Sequence, residues 1–217
     1  MTSNQLEVIP DNSQVASRTA DAILDFLGKI PISTKLKSSN PEQEARSAAT
    51  AAAIQASLAA GTLALPPGPL GWLTILPEMI AIWKIQAQLV ADIAAIYGKT
   101  TNLSQEQMIF CLFRHSAAQA VRDLVVRVGE RVLVKPLSLQ SFQKIAQKIG
   151  IKVTERTIGK GVSRWLPIIG AVGVAGYAYY DTTQVAKTAI DFFSSNFSIE
   201  LDDDGPADSA MAGENPK

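Results

Sequence analysis

Four side chains in this sequence carry acid–base or nucleophilic chemistry and stand among apolar neighbours. Cys111 and His115 lie four residues apart, about one turn of a helix, and a thiol beside an imidazole pairs a nucleophile with a general base. No third group that would orient the imidazole is evident in the sequence, and a lone histidine among apolar residues is more often structural than catalytic. Glu78 and Asp181 each break or end an apolar run, so they join His115 as candidate buried polar residues.

Structural roles account for the two carboxylates. Glu78 follows Pro77 and therefore falls in the first turn of a resumed helix, where the helix dipole favours a negative charge. Asp181 directly ends an apolar run, and we expect it to pair with an arginine of the fourth predicted helix, because an unpaired charge near a core is strongly unfavourable. No phosphate loop, nucleophile elbow or zinc spacing accompanies these residues. The sequence thus predicts no catalytic residue, metal or cofactor, and an enzyme using Glu78, His115 or Asp181 remains an alternative.

Six cations at strict four-residue spacing form what we call the basic ladder: Lys144, Lys148, Lys152, Arg156, Lys160 and Arg164. On a helix, residues four apart share a face, and like charges there repel unless an anionic partner offsets them. Isoleucines and valines alternate with the cations, which is the pattern of a basic amphipathic helix that contacts anionic lipid or a partner protein. Trp165 follows the last cation and suits a membrane interface. A solvated face above the core is the alternative interpretation.

Charge is strongly segregated along the chain although its formal total is zero. Residues 114–164 carry a net charge of +8, and residues 198–217 carry −5. A shorter cationic series, Arg127, Arg131 and Lys135, precedes the basic ladder at the same spacing. We expect no nucleic acid as partner, because neither a recognition motif nor an aromatic stacking platform accompanies these cations. The acidic segment is predicted to be a disordered tail that screens the basic ladder.

Hydrophobic periodicity places these residues on helices throughout, with no convincing strand. The predicted fold is all-α, a single domain of six to seven helices with two apolar segments interrupted by glycine or proline. We predict a disordered N-terminus over 1–12, the helical domain over 13–197 and the acidic disordered tail over 198–217. The helices are expected at about 13–29, 40–61, 71–97, 104–134, 138–150, 151–164 and 167–193.

Two charge-free segments raise the question of a membrane. Residues 47–77 hold no charged side chain, but four prolines interrupt the second half of this stretch. Residues 165–180 are also uncharged, and as a helix they reach about 24 Å, short of the roughly 30 Å hydrocarbon core of a bilayer. These segments are interpreted as the core of a helical domain, as a helical hairpin that enters a bilayer partly, or as a true membrane span.

Two stretches, PPGPLGWLTILPEMIAIWKIQAQLVADIAAIYG from Pro66 and WLPIIGAVGVAGYAYYDTTQVAKTA from Trp165, together resemble the bacterial EcsC family. The resemblance implies a bacterial, mainly helical, membrane-associated protein and transfers no catalytic residue. We therefore expect a membrane-peripheral accessory or interaction protein in the bacterial cytoplasm, at the inner face of the cytoplasmic membrane. Its partner would be an anionic membrane surface or a membrane protein. The alternative is a soluble helical module that binds a small amphiphile in its apolar interior.

Overall fold

The computed structural model describes residues 21–63, 71–100, 103–128, 131–134, 138–158 and 167–195. These residues form one domain that is helical apart from a small β-hairpin, so the predicted all-α fold class is confirmed. The first helix, α1, is described over residues 21–27. The further elements are α2 (Pro41–Leu63), α3 (Gly71–Ile96), α4 (Gln105–Phe113), α5 (Ala118–Val121), a 3₁₀ turn (Arg122–Leu124), β1 (Val125–Val128), β2 (Arg131–Val134), α6 (Leu139–Ile158) and α7 (Pro167–Ser194).

Local sequence signals set where several helices begin. At α4, the Ser104 hydroxyl accepts the backbone N–H of Gln107, whose side chain in turn accepts the backbone N–H of Ser104. This reciprocal pair is a capping box, which satisfies two amides that a helix start leaves unpaired. Helix α2 begins at Pro41, as the fixed φ of proline favours.

Three long helices, α2, α3 and α7, form the centre of the domain. Helix α2 runs antiparallel to α7. Gly61, near the end of α2, approaches Ala175 in the first half of α7, whereas Arg46, near the start of α2, interacts electrostatically with Asp191 near the end of α7. A Cβ added to Gly61 would meet the Ala175 Cβ at 3.7 Å, so the two helices approach closely. Helix α3 runs in the same direction as α7, because Gln86 bonds to Asp181 and Tyr97, just past the end of α3, lies near Asp191, further along α7. Ile82 and Ile85 of α3 pack against the alanine cluster that α2 and α7 form.

Several aromatic rings pack in the larger of two hydrophobic clusters, which is separate from this alanine-rich contact. Trp83 of α3 meets the ring of Phe113 edge-on at 5.4 Å and that of Phe26 at 6.1 Å, which ties α4 and α1 to α3. Phe110 and Phe192 lie 5.6 Å apart and join α4 to α7. Such pairs each contribute about 0.5–1.5 kcal/mol beyond the burial of their area.

The predicted fourth helix, which was to run to Val134, is wrong beyond Phe113. Helix α4 ends there, and after the short α5 the chain forms an antiparallel hairpin in which Val125 pairs with Val134 and Val128 with Arg131. The valine-rich flanks account for the difference, because β-branched side chains fit a pleated strand better than a helix. Arg127 and Arg131 therefore lie on opposite strands and do not form a helical cationic face.

Two predicted interruptions of helices are also wrong. Helix α6 continues from Leu139 through Gly150 to Ile158, because one interior glycine costs only about 1 kcal/mol and the amphipathic pattern persists across it. Helix α3 likewise runs without a break from Gly71 through Pro77, so Glu78 lies inside the helix and not in the first turn of a resumed one. Helix α7 matches its prediction closely, beginning at Pro167 and ending at Ser194. The predicted disordered N-terminus and acidic tail lie outside the described residues.

Candidate functional site

A polar cluster joins three elements inside the domain. Nε2 of His115, in the turn after α4, lies 2.6 Å from Oδ1 of Asp181 on α7. The other carboxylate oxygen, Oδ2, accepts a 2.8 Å hydrogen bond from the Gln86 side chain on α3. The same amide nitrogen lies 3.2 Å from the Thr182 hydroxyl. His115 and Asp181, both predicted to be buried polar residues, are thus brought together, and Asp181 meets a histidine rather than the expected arginine.

Burial makes this cluster energetically important. The side chains of His115 and Asp181 are 16% and 14% exposed, and Gln86 is only 1% exposed. A hydrogen bond to a charged group in such surroundings contributes about 1.5–3 kcal/mol, and an unpaired partner costs about as much. The cluster therefore clamps α3, α7 and the turn after α4 in one arrangement.

The chemistry open to His115 is limited by its surroundings. With Nε2 engaged by Asp181, proton transfer would fall to Nδ1, which is buried and has no hydrogen-bond partner among the described residues. Cys111 is fully buried, and this burial raises the pKa of its thiol far above the ordinary value of 9.0. Because the thiolate is the nucleophilic form, this cysteine is a core residue rather than an activated nucleophile.

Gln86 is the member of the cluster that sequence reasoning missed. The signal for it was available, because Gln86 lies three or four residues from the buried Trp83, Leu89 and Val90 and so shares their face of α3. A polar side chain on a buried face requires a hydrogen-bond partner. Glu78, the third candidate buried polar residue, lies within α3, but its side chain falls outside the described set.

A polar stripe on α3, formed by Lys84, Gln88 and Asp92, is only partly solvated. Asp92 accepts hydrogen bonds from the Ser33 hydroxyl at 2.6 Å and from the Gln88 side chain at 2.9 Å. Gln88 also donates to the carbonyl oxygen of Ile32. These contacts hold the extended segment 29–38 along α3, while Lys84 stays exposed at the far end of the stripe.

At one end of the bundle, α2 and α7 expose apolar side chains along two stretches whose sequences contain no charged residue. We call residues 54–63 of α2 and 167–180 of α7 the apolar end, since these two stretches lie against each other. Alanines fill the contact between the helices, while larger side chains point outward. The exposed ones, with their exposed fractions, are Ile54 (49%), Leu58 (66%), Val172 (71%), Val174 (44%), Tyr177 (56%), Tyr179 (41%) and Tyr180 (58%).

The basic ladder is described over part of its length. Lys144, Lys148, Lys152 and Arg156 lie on the single helix α6, and the first two side chains are exposed. Ile145 and Ile149, between them, are 6% and 0% exposed, so the first two turns present cations outward and isoleucines to the core. The remaining predicted contact residues, Lys160, Arg164 and Trp165, lie outside the described residues.

The described residues also bear on metal binding and on membrane crossing. In the parts of the chain that the structure describes, no three His, Cys, Asp or Glu side chains group as metal ligands. One described helix is long and apolar enough to cross a bilayer, over Met79–Ile96 with a mean hydropathy of 1.5. Because 56% of that window is buried inside the bundle, it equally fits a core helix.

Comparisons with known proteins find no match for this chain. No family model, no curated protein and no solved structure matches it. The resemblance to the EcsC family accordingly stays a prediction.

Proposed function

We propose that the protein is a membrane-peripheral accessory or interaction protein. It inserts its apolar end into a bilayer without crossing it and turns the basic ladder toward anionic lipid or a membrane-protein partner. The observation that carries the proposal is the apolar end, where Val172, Leu58 and Tyr180 are each more than half exposed. The resemblance to the bacterial EcsC family agrees with this role at the inner face of the cytoplasmic membrane.

The energetics favour transfer of this surface out of water. Full burial of a Val, Leu or Ile side chain contributes about 1.5–3 kcal/mol, so a side chain such as Val172, which is 71% exposed, offers about 1–2 kcal/mol to a membrane. Tyr177, Tyr179 and Tyr180 join the apolar residues at the point where α7 turns polar at Asp181. Tyrosine favours the interface between headgroups and acyl chains, so these rings mark the level at which insertion would stop.

The length of the apolar end indicates insertion rather than crossing. From Pro167 to Tyr180, α7 contains 14 residues, which corresponds to about 21 Å of helix. A helix that crosses the hydrocarbon core needs about 30 Å. Asp181 follows immediately and is held in the polar cluster, so deeper entry would require breaking that clamp.

The cations supply the second contribution. Lys144 and Lys148 are exposed on α6, and each cation near an anionic surface adds about 1 kcal/mol of attraction. This attraction weakens with salt because exposed charges are screened. Two signals, one apolar and one cationic, are what stable peripheral attachment generally requires.

Flotation of the full chain with vesicles tests the proposal. We expect binding to vesicles rich in phosphatidylglycerol, weaker binding to phosphatidylcholine vesicles, and loss with rising salt. Val172→Asp should weaken binding about 10- to 100-fold through lost burial and an added charge, whereas Leu36→Asp, at a site 84% exposed outside the apolar end, should not. A full chain that stays with the unbound fraction for both vesicle types would contradict the proposal.

A second pair of variants isolates the cationic part. Removing the charge at Lys144 and Lys148 with glutamine should weaken binding to anionic vesicles about 10- to 30-fold. The matched control removes the charge at Lys35 and Lys187, which are also exposed but lie outside the basic ladder. Equal effects of the two double variants would show that only total charge matters and that the basic ladder is a solvated face.

The alternative role is a soluble module that binds a small amphiphile in its apolar interior. The contact between α2 and α7 supports this role less well, because the two helices pack closely there. Ala56, Ala60 and Ala178 are buried against one another there, so the small residues bring the helices together. Flotation also distinguishes the two roles, because the module predicts no attachment to vesicles.

A further inference from the structure

A groove with a volume of about 440 Å³ lies between α1 and the outer face of α3. Its apolar lining comes from Phe26 on α1, from Ile30 and Pro31 just after that helix, and from Ile80 on α3. Phe26 rests against the ring of Trp83, so the floor is continuous with the aromatic core. The volume falls within the roughly 300–1,000 Å³ typical of small-molecule sites.

The rim of the groove carries two lysines in different states. Lys29 lies 3.4 Å from the carboxylate of Asp25, which offsets its charge. Lys84 is exposed and forms neither an ion pair nor a hydrogen bond with any other described residue, while its neighbour Gln88 is occupied by Ile32 and Asp92. Within the described structure the uncompensated charge at this groove is therefore one ammonium group above an apolar floor.

We propose that this groove binds a single-chain amphiphile with an anionic head, such as a fatty acid, whose chain lies on Phe26, Ile30 and Ile80 and whose head meets Lys84. The apolar floor selects a hydrocarbon chain, and the rim charge selects the sign of the head. This site lies outside both the apolar end and the basic ladder and does not depend on the proposed membrane role.

Calorimetric titration of the full chain with monomeric fatty acids tests the site. Octanoate, decanoate and dodecanoate, each below its micelle concentration, should bind with affinity rising up to about twofold per added methylene, because the open groove leaves one side of the acyl chain in water. Dodecyltrimethylammonium has the same chain with a cationic head and should bind at least about fivefold more weakly. Equal affinities for the two dodecyl probes would overturn the assignment of Lys84 to the head group.

Two variants locate the bound chain. Lys84→Glu should weaken dodecanoate binding about tenfold, whereas Lys187→Glu on the outside of α7 should leave it unchanged. Ala22→Phe fills the groove from α1 and should weaken all three acids alike. Because Lys84 is exposed, its variant keeps the fold, and helical circular dichroism checks the Ala22 variant.

The outcomes separate this site from the membrane role. Binding that neither Lys84→Glu nor Ala22→Phe weakens would place the ligand elsewhere and overturn the proposal. Lack of heat with every monomeric acid at two well-separated temperatures would overturn it too, because apolar burial makes the heat of binding depend on temperature. This holds even if the protein floats with anionic vesicles. If Val172→Asp abolishes binding of the fatty acids, their acyl chains bind at the apolar end. That result would agree with the membrane role and contradict the groove.

Discussion

Removing either partner of the His115–Asp181 pair should destabilise the fold strongly. Asp181→Ala leaves His115 without its carboxylate and leaves the amide of Gln86, a residue 1% exposed, with Thr182 alone. Each buried polar group deprived of a partner costs about 1–3 kcal/mol, so we expect a loss of about 3 kcal/mol in the free energy of unfolding. For a chain of this size that corresponds to a fall in Tm of about 6–12 °C.

A double-mutant cycle isolates the pair itself. The variants are His115→Ala, Asp181→Ala and their combination, each unfolded in urea at neutral pH and followed by circular dichroism. A short hydrogen bond between two side chains about 85% buried predicts a coupling of about 1.5–3 kcal/mol. The two single losses should therefore exceed the double loss when they are added.

The matched control is an ion pair of similar length on the surface. Arg46 and Glu42 approach to 2.7 Å, but their side chains are 69% and 65% exposed. Solvent screening predicts a much smaller coupling for this pair than for the buried one. Couplings of equal size, or additive losses at His115 and Asp181, would refute the argument that burial makes the polar cluster a clamp.

Three other changes test local parts of the structure. Burial raises the pKa of Cys111 and of Tyr97, so with rising pH the unfolded chain releases these protons before the folded chain does. The free energy of unfolding should therefore fall above about pH 9. Cys111→Ala should reduce this loss, which is measured as the difference between the urea midpoints near pH 8 and near pH 10. Gly98→Ala should lower the free energy of unfolding by about 1–2 kcal/mol, because φ at Gly98 is +71° and a Cβ there would lie 2.8 Å from the Lys37 side chain. Gly173→Ala should instead raise it by up to about 1 kcal/mol, because a Cβ there meets open space and alanine favours helix. Similar shifts of Tm for the two variants would contradict this difference. Ser104→Ala should cost about 1 kcal/mol through loss of the capping box, and an unchanged urea midpoint would deny the cap that role.

Features that depend on nearby residues could be predicted from the sequence. The capping box at Ser104 and the bounds of α7 follow from short-range signals, and the buried Ile145 and Ile149 of α6 follow from helical periodicity. The hairpin was missed because the four-residue spacing of Arg127 and Arg131 was read as a helical face although the valines around them favour strands.

The polar cluster shows the limit of such reasoning. His115 and Asp181 were recognised as buried polar candidates because each stands among apolar residues. Their pairing joins positions 66 residues apart, and local periodicity carries no information on which helices meet. The arginine expected at Asp181 and the missed Gln86 have the same cause, since the choice of partner depends on how α3 and α7 pack.

Environment-sensitive fluorescence at position 172 tests the central claim most directly. In a Cys111→Ala background, Val172→Cys and Leu36→Cys variants are labelled with nitrobenzoxadiazole, because both sites are exposed, at 71% and 84%. Addition of anionic vesicles should shift the emission of the label at 172 to the blue and protect it from an aqueous quencher, while the label at 36 stays unchanged. Unchanged emission at both positions, or equal shifts at both, would contradict insertion of the apolar end into the membrane.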